Sequence, residues 1–177
     1  MCIRDRQEML REAVKRNRAE LKGLKKEASA IEEARTLMAE VTELLHVEVQ
    51  SKLTSIVNQL FAAIFDDPYR LVIEFEAKAN RQEAILLLER DGKRVDPMTS
   101  VSGGVLDVAA FGLRLAVVLM RGGSRTLVFD EPFRFLSRDR RELLAEVLEQ
   151  LSMKHGVQII MVTHHPELEL GKVIELS

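Results

Sequence analysis

The 177 residues are 46% hydrophobic and 31% charged, with 26 Lys and Arg set against 28 Asp and Glu. One ordinary globular core plus an extension fits this length, and a net charge of -2 excludes a uniformly basic nucleic-acid binder while leaving room for a local basic face. Cys2 is the single cysteine, which excludes an internal disulfide framework or a thiolate zinc cluster and points to an intracellular protein.

The apolar stretches Ile85 to Leu88 and Phe111 to Met120 read as too short or too interrupted to cross a bilayer, and Met1 to Arg6 lacks the apolar centre of a signal peptide. From Gln7 to Leu60 there is no proline and one glycine, Gly23, among many Ala, Leu, Glu, Lys and Arg, so a long helix is expected. Leu10, Val14, Leu21, Leu24, Ala28, Ile31, Met38, Leu45 and Val49 recur at spacings of three and four or their sums, which is a coiled-coil seam. At 1.5 Å per residue such a helix reaches roughly 80 Å, too far to lie on its own core, so it needs a second helix.

Asp66-Asp67-Pro68 stops the helix. Strands are expected at Leu71 to Glu76 and Ala84 to Glu89, with an Asp91-Gly92 turn into a short Lys93 to Val95 return. A glycine-bearing loop at Ser100 to Gly104 precedes an apolar helix over Val105 to Met120. Then come a buried strand Thr126 to Phe129, an amphipathic helix Arg138 to His155, a strand Val157 to Val162 and a last strand Lys172 to Leu176. Helices alternating with buried strands define an α/β lobe with a mainly parallel sheet and a small antiparallel layer.

Three segments carry chemistry. The apolar strand Thr126 to Phe129 ends in Asp130 and Glu131, at the end of a parallel strand where α/β proteins bind ligands. One carboxylate there suits a hydrated magnesium ion and its neighbour an attacking water; the bland reading is an Asp-Glu-Pro turn. Ser102, Gly103 and Gly104 precede a helix whose free amides attract an anion by roughly 0.3 to 2 kcal/mol, although such a triplet alone reads more simply as a turn. The strand Ile159 to Val162 runs into Thr163-His164-His165-Pro166, where a histidine either reaches a terminal phosphate or sits in a surface loop.

The three segments in this order resemble the C-terminal lobe of ABC-type ATPases, over roughly Asp96 to Ser177. The resemblance implies a P-loop NTPase-like fold, ATP and Mg2+ as cofactors, and roles residue by residue. Ser102, Gly103 and Gly104 resemble the signature that contacts the nucleotide of the opposite head, Asp130 the magnesium-binding Walker B aspartate, Glu131 the catalytic glutamate and His164 the switch histidine. Pro132 to Ser137 resembles the D-loop, departing from the pattern at Ser137, where aspartate is common, and Val105 replaces a usual glutamine or charged residue.

The long helix upstream narrows the resemblance to the SMC and SbcC branch, which includes phage recombination ATPases. That implies a coiled-coil arm over residues 1–65 and an ATPase lobe over 66–177. It also implies a homodimeric head, action on DNA in repair or recombination, a nuclease subunit, no membrane, and a cytoplasmic or nucleoid-associated setting, in a cell or a phage-infected one. A transporter or translation-factor ATPase lobe, and a coiled-coil interaction module without catalysis, stand as the alternatives.

The sequence contains no Gly-x-x-x-x-Gly-Lys-Ser/Thr phosphate loop; Gly122-Gly123-Ser124-Arg125-Thr126 lacks the lysine and the spacing. The expectation is therefore a fragment whose Walker A lobe and first arm lie elsewhere, with little turnover of its own. Arg11, Lys15, Arg16, Arg18, Lys22, Lys25 and Lys26 either meet DNA phosphates or form a solvated face with Glu8, Glu12, Glu20 and Glu27, the second reading being favoured.

Overall fold

The computed structural model describes residues 3–78 and 81–175. Two compact units divide the chain, Met1–Glu48 and Val49–Ser177. The first consists of the leading part of helix α1, which runs Ile3–Ile64. Its seam residues Leu10, Val14, Leu21, Leu24, Ile31, Met38 and Leu45 are all exposed. Thr36 and Thr42 turn their hydroxyls back onto the carbonyls of Glu32 and Met38, at 3.0 and 2.7 Å, which satisfies these groups within the helix itself.

The second unit opens with the last turns of α1, whose Val57, Leu60, Phe61 and Ile64 are buried in its core. Strands β1 (Arg70–Lys78), β2 (Arg81–Arg90) and β3 (Lys93–Val95) form an antiparallel sheet in that order. The β2–β3 turn is Asp91-Gly92, both at positive φ (52° and 70°), which an Asp-Gly pair tolerates. Because β1 is an edge strand, its backbone needs other partners. Asn58 Oδ1 accepts from the Leu71 N–H at 2.7 Å and Gln50 Nε2 donates to the Ile73 carbonyl at 2.8 Å, both from α1.

A short helix α2 (Pro97–Ser100), capped by the Asp96 side chain, leads to α3 (Gly103–Arg121). By length and composition α3 is apolar enough to cross a membrane, contrary to the sequence reading, but it packs as a core helix with Val105, Val108, Phe111 and Leu115 buried. It crosses α1 at close range at Gly112, where an added Cβ would lie 2.9 Å from Leu60 Cδ1 and 3.0 Å from Val57 Cγ2.

Strands β4 (Thr126–Asp130) and β5 (Gln158–Val162) pair in parallel, joined through α4 (Arg138–His155). Leu127 and Phe129 are buried, whereas Val128, Ile160 and Val162 lie exposed at 69%, 49% and 47%, so one side of this pair is open. Parallel strands are ordinarily covered on both sides. A 3-10 turn, Pro166–Leu168, follows β5. The last strand expected over Lys172 to Leu176 is not formed: residues 172–175 have no regular structure, and Leu176 lies outside the described residues. Val173 and Ile174 alternate poorly and are both exposed, with no strand beside them among the described residues.

Candidate nucleotide site at the ends of β4 and β5

The ladder places the site. Asp130 is the last residue of β4 and pairs with Val162, the last of β5, and the Glu131 N–H extends the pairing by donating to the Val162 carbonyl at 2.9 Å. Both strands therefore release their next residues at the same level. Glu131 and Phe133 flank Pro132 at φ 43° and 63°, in the left-handed region that non-glycine residues occupy at a cost of about 1–3 kcal/mol. Strain of this kind concentrates at functional loops. Phe133 is held by its ring, which meets Phe111 of α3 at 5.4 Å and Phe129 of β4 at 6.4 Å.

Glu131 and His164, named separately in the sequence, come together: His164 Nδ1 lies 2.7 Å from Glu131 Oε2. His164 stands out in solvent, its side chain 70% exposed. Its contact is the main cause holding the Glu131 carboxyl below the ordinary glutamate range; His165 adds to it and desolvation opposes it. The carboxylate is thus ionised, the form a base requires. Asp130 is exposed and forms no ion pair among the described residues, leaving its oxygens open to a ligand.

Ser102 is the N-cap of α3, exposed, with its hydroxyl unbonded to the helix amides. It opens on a cleft of about 400 Å³ whose walls include Ser100, Arg90 and Arg140. Arg90 is stacked over Tyr69 at 4.2 Å and Arg140 over Phe65 at 4.8 Å. Gly103 and Gly104 also lie close against a neighbouring segment. A Cβ at Gly103 would stand 2.8 Å from the Phe135 ring, and one at Gly104 would stand 3.0 Å from the Phe135 carbonyl oxygen. The glycines let the segment after Glu131 pack against the start of α3. The Phe135 N–H also donates to Asp107 Oδ2 at 3.3 Å; burial raises the Asp107 carboxyl, with this bond and Arg134 opposing.

Sequence reasoning gave no such role to four residues here. Arg141 of α4 donates both to the Leu136 carbonyl and, at 3.3 Å, to Glu167, tying the loop after β4 to the turn after β5. Glu167 is held below the ordinary range, first by its own backbone N–H and then by Arg141 and Arg138. His165 packs its ring 4.2 Å from that of His164, and Phe135 fills the space the glycines leave. Arg141 and Glu167 are 26 positions apart, so no local pattern pairs them; only the doubled histidine was visible as a signal.

Comparison with known proteins agrees with this architecture. In Pyrococcus abyssi a DNA double-strand break repair Rad50 ATPase is 31% identical over 120 residues, covering 67% of this chain and 13% of the relative. The same-named protein of Aeropyrum pernix is 31% identical over 137 residues, covering 76% and 15%, and that of Thermoplasma volcanium is 40% identical over 80 residues, covering 44% and 9%. The chain thus spans less than a sixth of the length of these relatives.

Among solved structures, the Smc head domain with an extended coiled coil bound to the C-terminal domain of ScpA, from Pyrococcus furiosus, superposes with a TM-score of 0.55 at 18% identity, covering 89% of this chain and 40% of that one. An SMC ATPase studied for ATP-driven dimerization and DNA-stimulated activation gives 0.54 at 15%, covering 70% and 74%. Fold and motifs together define an SMC- or SbcC-type ABC ATPase head region, α/β and P-loop NTPase-like, preceded by a long helix. Residues 11–171 match the family described as "AAA domain, putative AbiEii toxin, Type IV TA system", and the chain belongs to that family.

Proposed function

We propose that this chain is the C-terminal half of an ATPase head that hydrolyses ATP between two dimerised heads and acts on DNA in double-strand break repair or recombination. The observation that carries the reading is the Glu131–His164 pair at the ends of two neighbouring parallel strands, beside the exposed Asp130. Glu131, ionised and anchored through its backbone to β5, takes the proton from an attacking water. His164, solvent-exposed and in contact with that carboxylate, is placed to meet a terminal phosphate.

The carboxylate oxygens of Asp130 are hard donors that suit Mg2+, which when bound neutralises phosphate charge. Ser102, with its free hydroxyl at a helix start beside Arg90 and Arg140, contacts the nucleotide held by the opposite head. Gly103 and Gly104 hold that loop against the segment after Glu131.

The phosphate loop that these residues require is supplied from outside the 177 residues, by an N-terminal lobe and first arm helix. The open side of the β4–β5 pair supports such a cover. Residues 1–65 form one strand of a coiled-coil arm and 66–177 the lobe; the names of the relatives support DNA as the partner, a nuclease subunit completes the assembly, and the setting is cytoplasmic.

Co-expression with a phosphate-loop lobe from the same locus tests the reading. Turnover is expected only with both chains, stimulated by DNA, and Glu131→Gln should slow it by about 100-fold to 10,000-fold. Turnover by this chain alone, or a stable ATP-bound assembly without turnover, would overturn it.

A further inference from the structure

We infer that Glu131, His164 and His165 form a binding site for a transition-metal dication of the Zn2+ class, separate in kind from the Mg2+ that accompanies ATP. One ligating atom from each of the three lies within 4.8 Å of the other two. Tetrahedral Zn2+ bonds of about 2.0–2.1 Å set ligand atoms about 3.4 Å apart, so roughly an ångström of side-chain movement closes the set.

Independent evidence comes from the groups that face one another. His165 Nε2 is shielded from solvent and has no hydrogen bond among the described residues, and Glu131 Oε2, equally shielded, has His164 Nδ1 2.7 Å away. A buried imidazole nitrogen is rarely left so, and a metal ion satisfies it while also taking a carboxylate oxygen as ligand. The frame is already built: the His165 N–H donates to Thr163 Oγ1 at 3.2 Å, the two imidazole rings are tilted by 40° at 4.2 Å, and the Glu131 backbone is bonded to Val162.

Two imidazoles and one carboxylate suit Zn2+, Co2+, Ni2+ or Cu2+, whereas Mg2+ and Ca2+ prefer oxygen ligands throughout. Three protein ligands leave a fourth position for water. The consequence for turnover rests on the function proposed above: a Glu131 carboxylate that ligates a metal no longer takes a proton from water, so occupancy switches the head off.

Titration of the purified 177-residue chain with Zn2+, without nucleotide, tests the site apart from the ATPase reading. Calorimetry should show one saturable equivalent, and His165→Ala and Glu131→Gln should each weaken it by at least about 10-fold. His155→Ala should leave it unchanged. In the unaltered chain, ring resonances of His164 and His165 should shift while those of His46 and His155 stay, a readout that no misfolded variant can confuse. Binding that is indifferent to His165→Ala, or ring shifts spread over all four histidines, would overturn the site. In an assembled head that turns over ATP, Zn2+ should inhibit and His165→Ala should raise the concentration needed. Zn2+ binding at the triad without such inhibition would retain the site and remove its control of turnover.

Discussion

A methyl group added at Gly103 meets the Phe135 ring, but one added at Gly104 meets the Phe135 backbone carbonyl. The two positions should therefore respond differently to relief. Gly103→Ala and Gly104→Ala are each expected to destabilise by about 1–3 kcal/mol, and Phe135→Ala should restore the first and not the second, as urea unfolding would show. The glycines were visible in the sequence as a ligand loop; their aromatic neighbour was not, because Phe135 lies more than thirty positions later.

Glu131 gives a second prediction at this scale. Its carboxyl is depressed in the folded chain, so the stabilisation from its histidine neighbours is fully present above the ordinary glutamate range and is lost as pH falls through the lowered value. Carbon-detected NMR of the Glu131 carboxyl should show titration below that range, and His164→Ala should move it upward. A carboxyl that titrates identically in both proteins would disconnect the pair. The Asp-Glu strand end itself was fully legible, since an apolar run halted by two acids has few structural explanations.

Among the elements, the loop after β4 and the turn after β5 depend on one side chain of α4. Arg141→Met removes the bonds to Leu136 and Glu167 and leaves a poorly exposed carboxylate without that partner. A loss of about 1.5–3 kcal/mol is expected, with hydrogen-exchange protection falling in both loops together; loosening of only one would mean that Arg141 does not join them. The strands β1 to β5 were readable from short apolar runs and from the Asp91-Gly92 turn, whose positive φ angles few residues accept. The strand expected over Lys172 to Leu176 failed for a physical reason: β-branched residues favour extension, but a strand exists only where a neighbour takes its hydrogen bonds, and residues 172–175 have none beside them in the described chain.

For the whole molecule, the seam of α1 decides solution behaviour. Exposed Leu21, Leu24, Ile31, Met38 and Leu45 have no cover in Met1–Glu48, and an apolar stripe of this kind is rarely tolerated by a monomer. The chain should therefore self-associate in a concentration-dependent manner during sedimentation, and Leu24→Lys with Ile31→Lys should abolish this without altering the fold of Val49–Ser177. Association that survives both changes would have to arise elsewhere, with Val128, Ile160 and Val162 of the open parallel pair as the next surface to alter.

The spacing of the strand pairs also sets an order of assembly. Arg90 pairs with Lys93 across a two-residue turn and Leu71 with Leu88, contacts that hairpins close in about 1–10 μs. Thr126 must instead find Gln158, 32 positions later, after the whole of α4 has been made. During synthesis the antiparallel meander is complete while β4 still lacks β5, so a chain halted on the ribosome before Gln158 carries Asp130 and Glu131 on a strand with no parallel neighbour. The nascent protein can acquire its acidic strand end well before it can acquire a working site.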